Sequence, residues 1–332
     1  MSNENSDLMP TEASKAYSDL IPTKYCQHNG WKVFFDISSV YLVIGLSLYM
    51  ASIFNSAVVW FFCAIAIGIS QVHLANLGHH ASHREFSSNV FFNDNLARLF
   101  CSGPIFMQFD LYRYNHLVHH ESLGTGKDSA KKDYYDLNQP SRNTPKNFLL
   151  WIISGFFGNM AWTTFKHYIF EALLVRLFTS KEKRDALKKD AIFERRQLRL
   201  ADSLSIIFSQ LLIFVIILLL MDEALEAYFI LWLLPGLTIM PGIISLRACL
   251  EHAGLHSSSQ LLYDFQPNFL ERVVFSRFGF HLHGTHHVLG PLGLKYYYAE
   301  EANNLIRELT GLTNVCRVGS FTERTLSLLR NL

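Results

Sequence analysis

The chain has 332 residues, of which 50% are hydrophobic, 14% aromatic and only 17% charged, with a formal net charge of +1. That is apolar for a soluble globular protein, and the near-neutral balance provides no basic surface for nucleic acid. The five cysteines (Cys26, Cys63, Cys101, Cys249, Cys316) are scattered with no C-x-x-C, and for the several in apolar surroundings a reduced, buried thiol is expected.

Residues 1–30 are polar and mixed in charge (Glu4, Asp7, Glu12, Lys15, Asp19, Lys24) and read as a flexible lead-in. They lack the basic-then-apolar start of a secretory signal, no lipidation motif is apparent at either end, and insertion would fall to the first spanning helix. Four segments are long and apolar enough to cross a bilayer, at about 33–54, 57–77, 204–221 and 228–246. Only Asn55 and Ser56 separate the first two, which predicts a tight hairpin. The second pair is joined by an acidic turn with Asp222, Glu223 and Glu226, and Pro235 and Pro241 predict a kink in the last helix.

Two further apolar stretches, 89–114 and 148–178, are broken by charges, Pro104, Gly155 and Gly158. A parity argument bears on them. The chain carries three histidine boxes; if these build one site, they lie on one side of the membrane and an even number of crossings separates each pair. The 89–114 stretch is therefore expected to be interfacial or re-entrant, and 148–178 an amphipathic helix lying on the membrane. The 181–199 loop holds eight Lys and Arg, and the positive-inside rule makes it cytoplasmic, together with all the boxes. The expected architecture is an all-α integral membrane protein with four transmembrane helices in two hairpins. Interfacial helices and a cytoplasmic helical cap (78–202 and 247–332) complete one domain over 31–332, with the boxes in the cap.

The chemistry centres on NHLVHHESLGT at 115–125, where His116, His119 and His120 stand at i, i+3 and i+4 on one helical face. Neutral imidazole there suits iron, zinc or copper. HGTHH repeats the pattern with His283, His286 and His287, and His79 and His83 stand one turn apart in GHHASHREF. His80 points roughly 100° from His79 and reads as a supporting or surface residue. His281 lies two residues before His283 and is open between a supporting role and an outer ligand. His252 emerges from the last spanning helix where a site at the membrane surface would lie, and is taken as a ligand; His256, one turn on, is a weaker candidate. Glu251 is placed to orient an imidazole. His73 reads as a buried, hydrogen-bonded histidine, and His28 and His167 as interfacial or surface residues.

Nine histidines thus stand out: His79, His83, His116, His119, His120, His252, His283, His286 and His287. A structural zinc closes with four ligands, so nine suit two ions. An all-nitrogen dinuclear site in a membrane protein points to iron and dioxygen more than to hydrolysis, because breaking an unactivated C–H bond exceeds side-chain chemistry.

LGHHASHREF followed by NDNLARLF, NHLVHHESLGT followed by Asp128, the Glu251–His252 pair, and HGTHHVLGP together resemble the membrane fatty acid desaturase superfamily over about residues 70 to 300. The resemblance implies that the nine histidines bind two iron ions, that the cap faces the cytoplasm and that O2 is the co-substrate. Two departures stand out. His80 occupies a place that is often acidic in the family, and His281 one where some members carry Asn or another polar residue. No HPGG heme motif or ferredoxin-like cysteine set is present, so electrons are expected from a separate donor such as ferredoxin or cytochrome b5 with its reductase. The membrane would be the cytoplasmic membrane of a bacterium or the endoplasmic reticulum of a eukaryote.

The expected activity is O2-dependent desaturation of a fatty acyl or similar long hydrocarbon chain, with hydroxylation or ketolation of a lipid or carotenoid as the alternative on the same site. A transporter or metal scaffold is disfavoured, because the boxes lie at helix ends and not at mid-membrane. Among the weaker candidates, Asp128 could orient an imidazole or meet a head group. Asp133 reads as part of a solvated loop with Lys127, Lys131 and Lys132. Arg247 could contact a head group or cap the helix exit, Gly124 and Gly126 read as turn residues, and the chain beyond Tyr298 reads as an amphipathic cap helix.

Overall fold

The structure, a computed structural model, describes residues 15–128, 130–158, 200–254, 262–312 and 315–332. The 181–199 basic loop, His167, His256 and most of the 148–178 stretch lie outside the described residues, as do residues 1–14 of the lead-in.

Helix α1 (Gly30–Ile53) starts where the Asn29 side chain accepts the Lys32 backbone N–H at 3.1 Å. Helix α2 (Ala57–Ser82) returns after a three-residue link, and Trp60 Nε1 donates to the Ala51 carbonyl at 3.1 Å across the turn. Helix α2 runs beyond the 57–77 segment and carries His79 and His80 in its last turn. Later in the chain, α6 (Leu200–Leu220) and α7 (Ala224–His252) form the second hairpin, and α7 ends on His252 itself. These are the four described helices long and apolar enough to cross a membrane. Leu42, Leu46, Met50, Phe208, Leu211, Leu218 and Leu219 lie exposed along them. Such surfaces suit lipid tails, not water. Between the helices Val40, Ile67, Leu74, Leu77, Ile217, Leu231 and Trp232 are buried.

The expected kink in α7 is a break at Thr238, whose φ/ψ of −126/−68 separates Leu234–Leu237 from Ile239–His252. Upstream, Tyr228–Leu233 takes a π turn. Pro235 has no N–H to donate, and the buried Gln71 of α2 donates to the Trp232 carbonyl at 2.9 Å where the ladder is irregular. Gly68 of α2 allows the close approach of α7: a Cβ there would stand 2.8 Å from Ile239 Cβ.

No continuous helix occupies 89–114. Helix α3 (Val90–Ala97) leads into a π turn at Arg98–Ser102 and a 3-10 turn at Gly103–Ile105, and α4 (Phe109–Ser122) follows. The charges that broke the apolar pattern are paired inside: Arg98 reaches Asp202 at 2.7 Å and Asp110 at 2.8 Å, and Arg113 reaches Asp94 at 3.3 Å. Helix α5 (Pro145–Phe156) begins at a Thr144 cap and packs Phe156 against Gly242 of α7, where any Cβ would come within 2.6 Å of the ring.

The remainder comprises α8 (Phe269–Val274), α9 (His283–Leu289), α10 (Ala299–Thr310) and α11 (Phe321–Asn331). The tail thus holds two helices where one was expected. Gly311, at φ 76, closes α10, and a Ser320–Glu323 capping box opens α11. The described strands are two-residue segments, β1 (Tyr263–Asp264) and β2 (Cys316–Arg317), paired in parallel.

Candidate metal centre

The ends of α2 and α7 deliver His79, His83 and His252 to one level, and α4 and α9 lay their i, i+3, i+4 faces across it. Two sets of imidazoles result. His79, His83, His116 and His286 form one, and His119, His252, His283 and His287 the other, with ligand atoms in each set within 4.8 Å of one another. In the first, Nε2 atoms stand 3.0 Å apart for His79 and His286, 3.0 Å for His286 and His83, and 2.7 Å for His83 and His116. His120 joins through its Nε2, 3.0 Å from that of His116. In the second, the separations are 3.2 Å for His119 and His252, 3.0 Å for His252 and His283, and 3.1 Å for His283 and His287. The His120 and His287 rings stack at 3.9 Å and place the two sets side by side.

This spacing fits a pair of metal ions. Nitrogens about 2.1 Å from a shared ion are about 3.0 Å apart at right angles and about 3.4 Å apart at tetrahedral angles. An N–H···N bond can satisfy two imidazoles, but four or five converging nitrogens leave lone pairs facing one another, and a cation relieves that repulsion. Burial, followed by the neighbouring imidazoles, holds His83, His116, His120, His283 and His287 well below the ordinary imidazole pKa. Burial brings His286 down to about 4. At neutral pH these rings are uncharged and available as ligands.

Surrounding groups fix the rings from behind. His119 Nδ1 donates to Asp128, with both carboxylate oxygens at 3.0 Å, which leaves Nε2 bare toward His252. Asp128 also accepts from the Tyr135 hydroxyl and from the backbone N–H groups of Gly124 (3.3 Å) and Ala130 (3.0 Å). Burial works to raise the Asp128 pKa, but the bond and charge of His119, with Tyr135 and Gly124, outweigh it and hold the carboxylate below its ordinary value. Glu251 instead stands on the ligand side: its Oε2 lies 3.7 Å from His283 Nε2, the nitrogen that faces the second set, and its Oε1 lies 3.2 Å from Arg247 Nε. Arg247 is buried: it donates to Asn76 Oδ1 at 2.5 Å and covers the Phe280 ring at 4.1 Å. The expected head-group contact or helix-exit cap is therefore replaced by a tie between α7 and α2.

His80 is buried and supporting, not a surface residue. Its Nε2 donates to the Phe278 carbonyl at 2.9 Å, its ring stacks on Tyr296 at 4.3 Å, and its Nδ1 lies 3.3 Å from Glu85 Oε2. His281 turns away from both sets and lines two surface cavities with Arg272 and Glu300. His73 is buried and meets the Val273 carbonyl at 2.7 Å, and His28 meets the Arg84 carbonyl at 2.9 Å.

Four residues of the site carried no readable sequence signal. Glu85 Oε1 approaches His286 Nδ1 at 3.9 Å, and with His80 these two form a third group able to hold a metal. Because His286 already directs Nε2 into the first set, Glu85 reads as a support for that ring. Tyr112 Oη meets His79 Nδ1 at 3.2 Å, and Tyr135 reaches Asp128. Asp264 anchors α9: it accepts from Thr285 N at 2.9 Å, Thr285 Oγ1 at 2.5 Å, Asn303 Nδ2 at 2.8 Å and Arg307 Nη2 at 2.9 Å.

The family model of fatty acid desaturases matches residues 55–315. The match covers most of the chain, which therefore belongs to the fatty acid desaturase family. No curated protein matches the chain.

Proposed function

We propose that this member of the fatty acid desaturase family is an O2-dependent di-iron membrane desaturase that places a double bond in a fatty acyl or similar long hydrocarbon chain. The observation that carries the reading is the convergence of nine imidazole Nε2 atoms in two adjacent sets. In this reading His79, His83, His116, His120 and His286 hold one iron, and His119, His252, His283 and His287 the other. Bound iron supplies the redox chemistry with dioxygen that C–H cleavage requires and side chains lack.

Overall, one –CH2–CH2– unit, O2, two electrons and two protons yield –CH=CH– and two waters. The electrons come from an external donor such as ferredoxin or cytochrome b5 with its reductase. The chain's own groups orient and enclose. Asp128 keeps the His119 proton on Nδ1, Tyr112 bonds the His79 ring, and Glu85 places its carboxylate 3.9 Å from His286 Nδ1. Phe280, at 4.7 Å from the His79 ring and stacked at 5.8 Å on His283, gives the site an apolar wall that excludes water. Residues 31–332 act as one domain, with the histidine sets on the cytoplasmic side of a bacterial cytoplasmic membrane or an endoplasmic reticulum.

The test is fatty-acid and lipid mass spectrometry of a host expressing the unsubstituted chain beside His119→Ala. Products lighter by two hydrogens, absent with the variant, support desaturation. Products heavier by one oxygen move the reading to hydroxylation on the same centre. Purified protein without iron, in a host whose lipids do not change, refutes the di-iron reading.

A further inference from the structure

The segment between α7 and the third histidine box has a divided surface. On α8, Phe269 is 78% exposed, Leu270 70% and Val273 39%. Residues i, i+1 and i+4 share one side of a helix, so these three form a single outward patch. The other side is polar: Glu271 is buried against protein, and Arg272 is half exposed. Glu271 completes a capping box with Asn268 and accepts from Thr322 N at 2.9 Å and Thr322 Oγ1 at 2.5 Å on α11. Arg272 pairs with Glu300 of α10 at 3.6 Å.

The contacts of this segment set its depth. The Val273 carbonyl meets His73 Nε2 at 2.7 Å, and His73 precedes the ligand candidate His79 by six residues, about 9 Å along α2 toward the bilayer. The Phe275 carbonyl accepts from Arg247 Nη1 at 3.1 Å, about 7.5 Å before His252 on α7. Arg277 Nη2 donates to Ser39 Oγ at 2.6 Å, about 14 Å into α1. Three spanning helices thus hold the segment on the bilayer side of the histidine sets. Lys32 and Asp36 of α1 share a cavity of about 380 Å³ with Arg272 and Arg277, so the charged groups gather there. Near them on α1, Trp31, Phe34 and Phe35 are 73%, 56% and 63% exposed.

We propose that α8 dips into the bilayer, with Phe269, Leu270 and Val273 among lipid acyl chains, so that the third histidine box is attached to a membrane-inserted element. The cap therefore contacts the membrane between its fourth spanning helix and its last metal-binding motif. An apolar face level with the exposed aromatic side of α1, backed by the buried Glu271 and flanked by the half-exposed Arg272–Glu300 pair, suits a helix lying at the bilayer surface.

The test uses the whole chain in phosphatidylcholine nanodiscs containing a phospholipid with a diazirine on its acyl chain. After irradiation and digestion, label is expected on residues 269–273 as well as on α1 and α6, and none on Leu326 of α11, which is 47% exposed. Label on α1 and α6 without label at 269–273 overturns the proposal. A second arm places p-benzoylphenylalanine separately at Phe269, Leu270, Phe34 and Leu326. Phospholipid adducts at the first three support insertion; a cross-link from 269 or 270 to another polypeptide overturns it and assigns the patch to a protein partner. Neither arm depends on bound iron or turnover, so a failure here is separate from a failure of the desaturase reading.

Discussion

Replacing Asp128 with asparagine tests the idea that a buried carboxylate behind His119 determines metal affinity. Asp128 is 3% exposed and takes four donors: His119 Nδ1, the Tyr135 hydroxyl and the N–H groups of Gly124 and Ala130. Asparagine keeps the shape, but presents an NH2 donor where the second oxygen accepted. At least one existing donor then faces another donor, at a cost of about 1–3 kcal/mol. Loss of the carboxylate also frees His119 to place its proton on Nε2, the atom aimed at the site. Loss of such an orienting partner lowers metal affinity by about 10–100-fold, or about 1.4–2.7 kcal/mol. The assay is chelator competition on the purified protein, followed by iron analysis per chain. If the two sets each hold an iron, as proposed, one of the two is expected to leave at a chelator concentration about 10–100-fold below that needed for the unsubstituted protein, because only the His119 set is touched. Equal retention of both irons would refute the assignment of Asp128 as the group that orients His119.

The remaining predictions use other contacts. His80→Ala should keep the full iron count and lose about 1–3 kcal/mol of stability through the unpaired Phe278 carbonyl, whereas His83→Ala should lose iron; metal analysis and thermal unfolding of both variants check this. Asp264→Ala removes the partner of Thr285, Asn303 and Arg307 together and should destabilise the protein by about 3–5 kcal/mol, measured as a fall in Tm, with a less firmly held third box. Metal-free protein should lose stability on acidification. The buried imidazoles titrate below the ordinary 6.5 and His286 near 4, so the unfolded chain binds more protons in between and stability falls as pH drops through that window. A Tm that stays constant from pH 7 to 4.5 would contradict this. Gly242→Val should force Phe156 away from α7 and lower Tm, because the added Cβ would stand 2.6 Å from that ring.

The four spanning helices and the three boxes were legible in the sequence because each rests on a local pattern. Twenty apolar residues in a row specify a bilayer span, and an H-x-x-H-H face needs only a helix to bring its imidazoles together. His252 was legible through its place at the end of an apolar run. The helices run past the apolar segments, α2 to Ser82 and α7, beyond its break at Thr238, to His252, because the backbone ladder of a helix does not depend on whether lipid or a polar site surrounds its tip.

What only the tertiary structure decided is how the boxes are shared and what stands behind them. Helical spacing places His116, His119 and His120 on one face, but not that His119 belongs with His252 while His116 and His120 belong with His83 and His286. That division depends on where α2, α4, α7 and α9 place their ends and faces relative to one another. The inward turn of His80 depends on a carbonyl 198 residues away, at Phe278 in its left-handed turn. Glu85, Tyr112, Tyr135 and Asp264 are ordinary polar residues in sequence, and they gain a role only where a distant imidazole or helix end meets them. Local patterns in the sequence determined which atoms can bind metal. Long-range packing decided which of them meet, because convergence of side chains from four separate helices is a property of the folded chain and of no single segment.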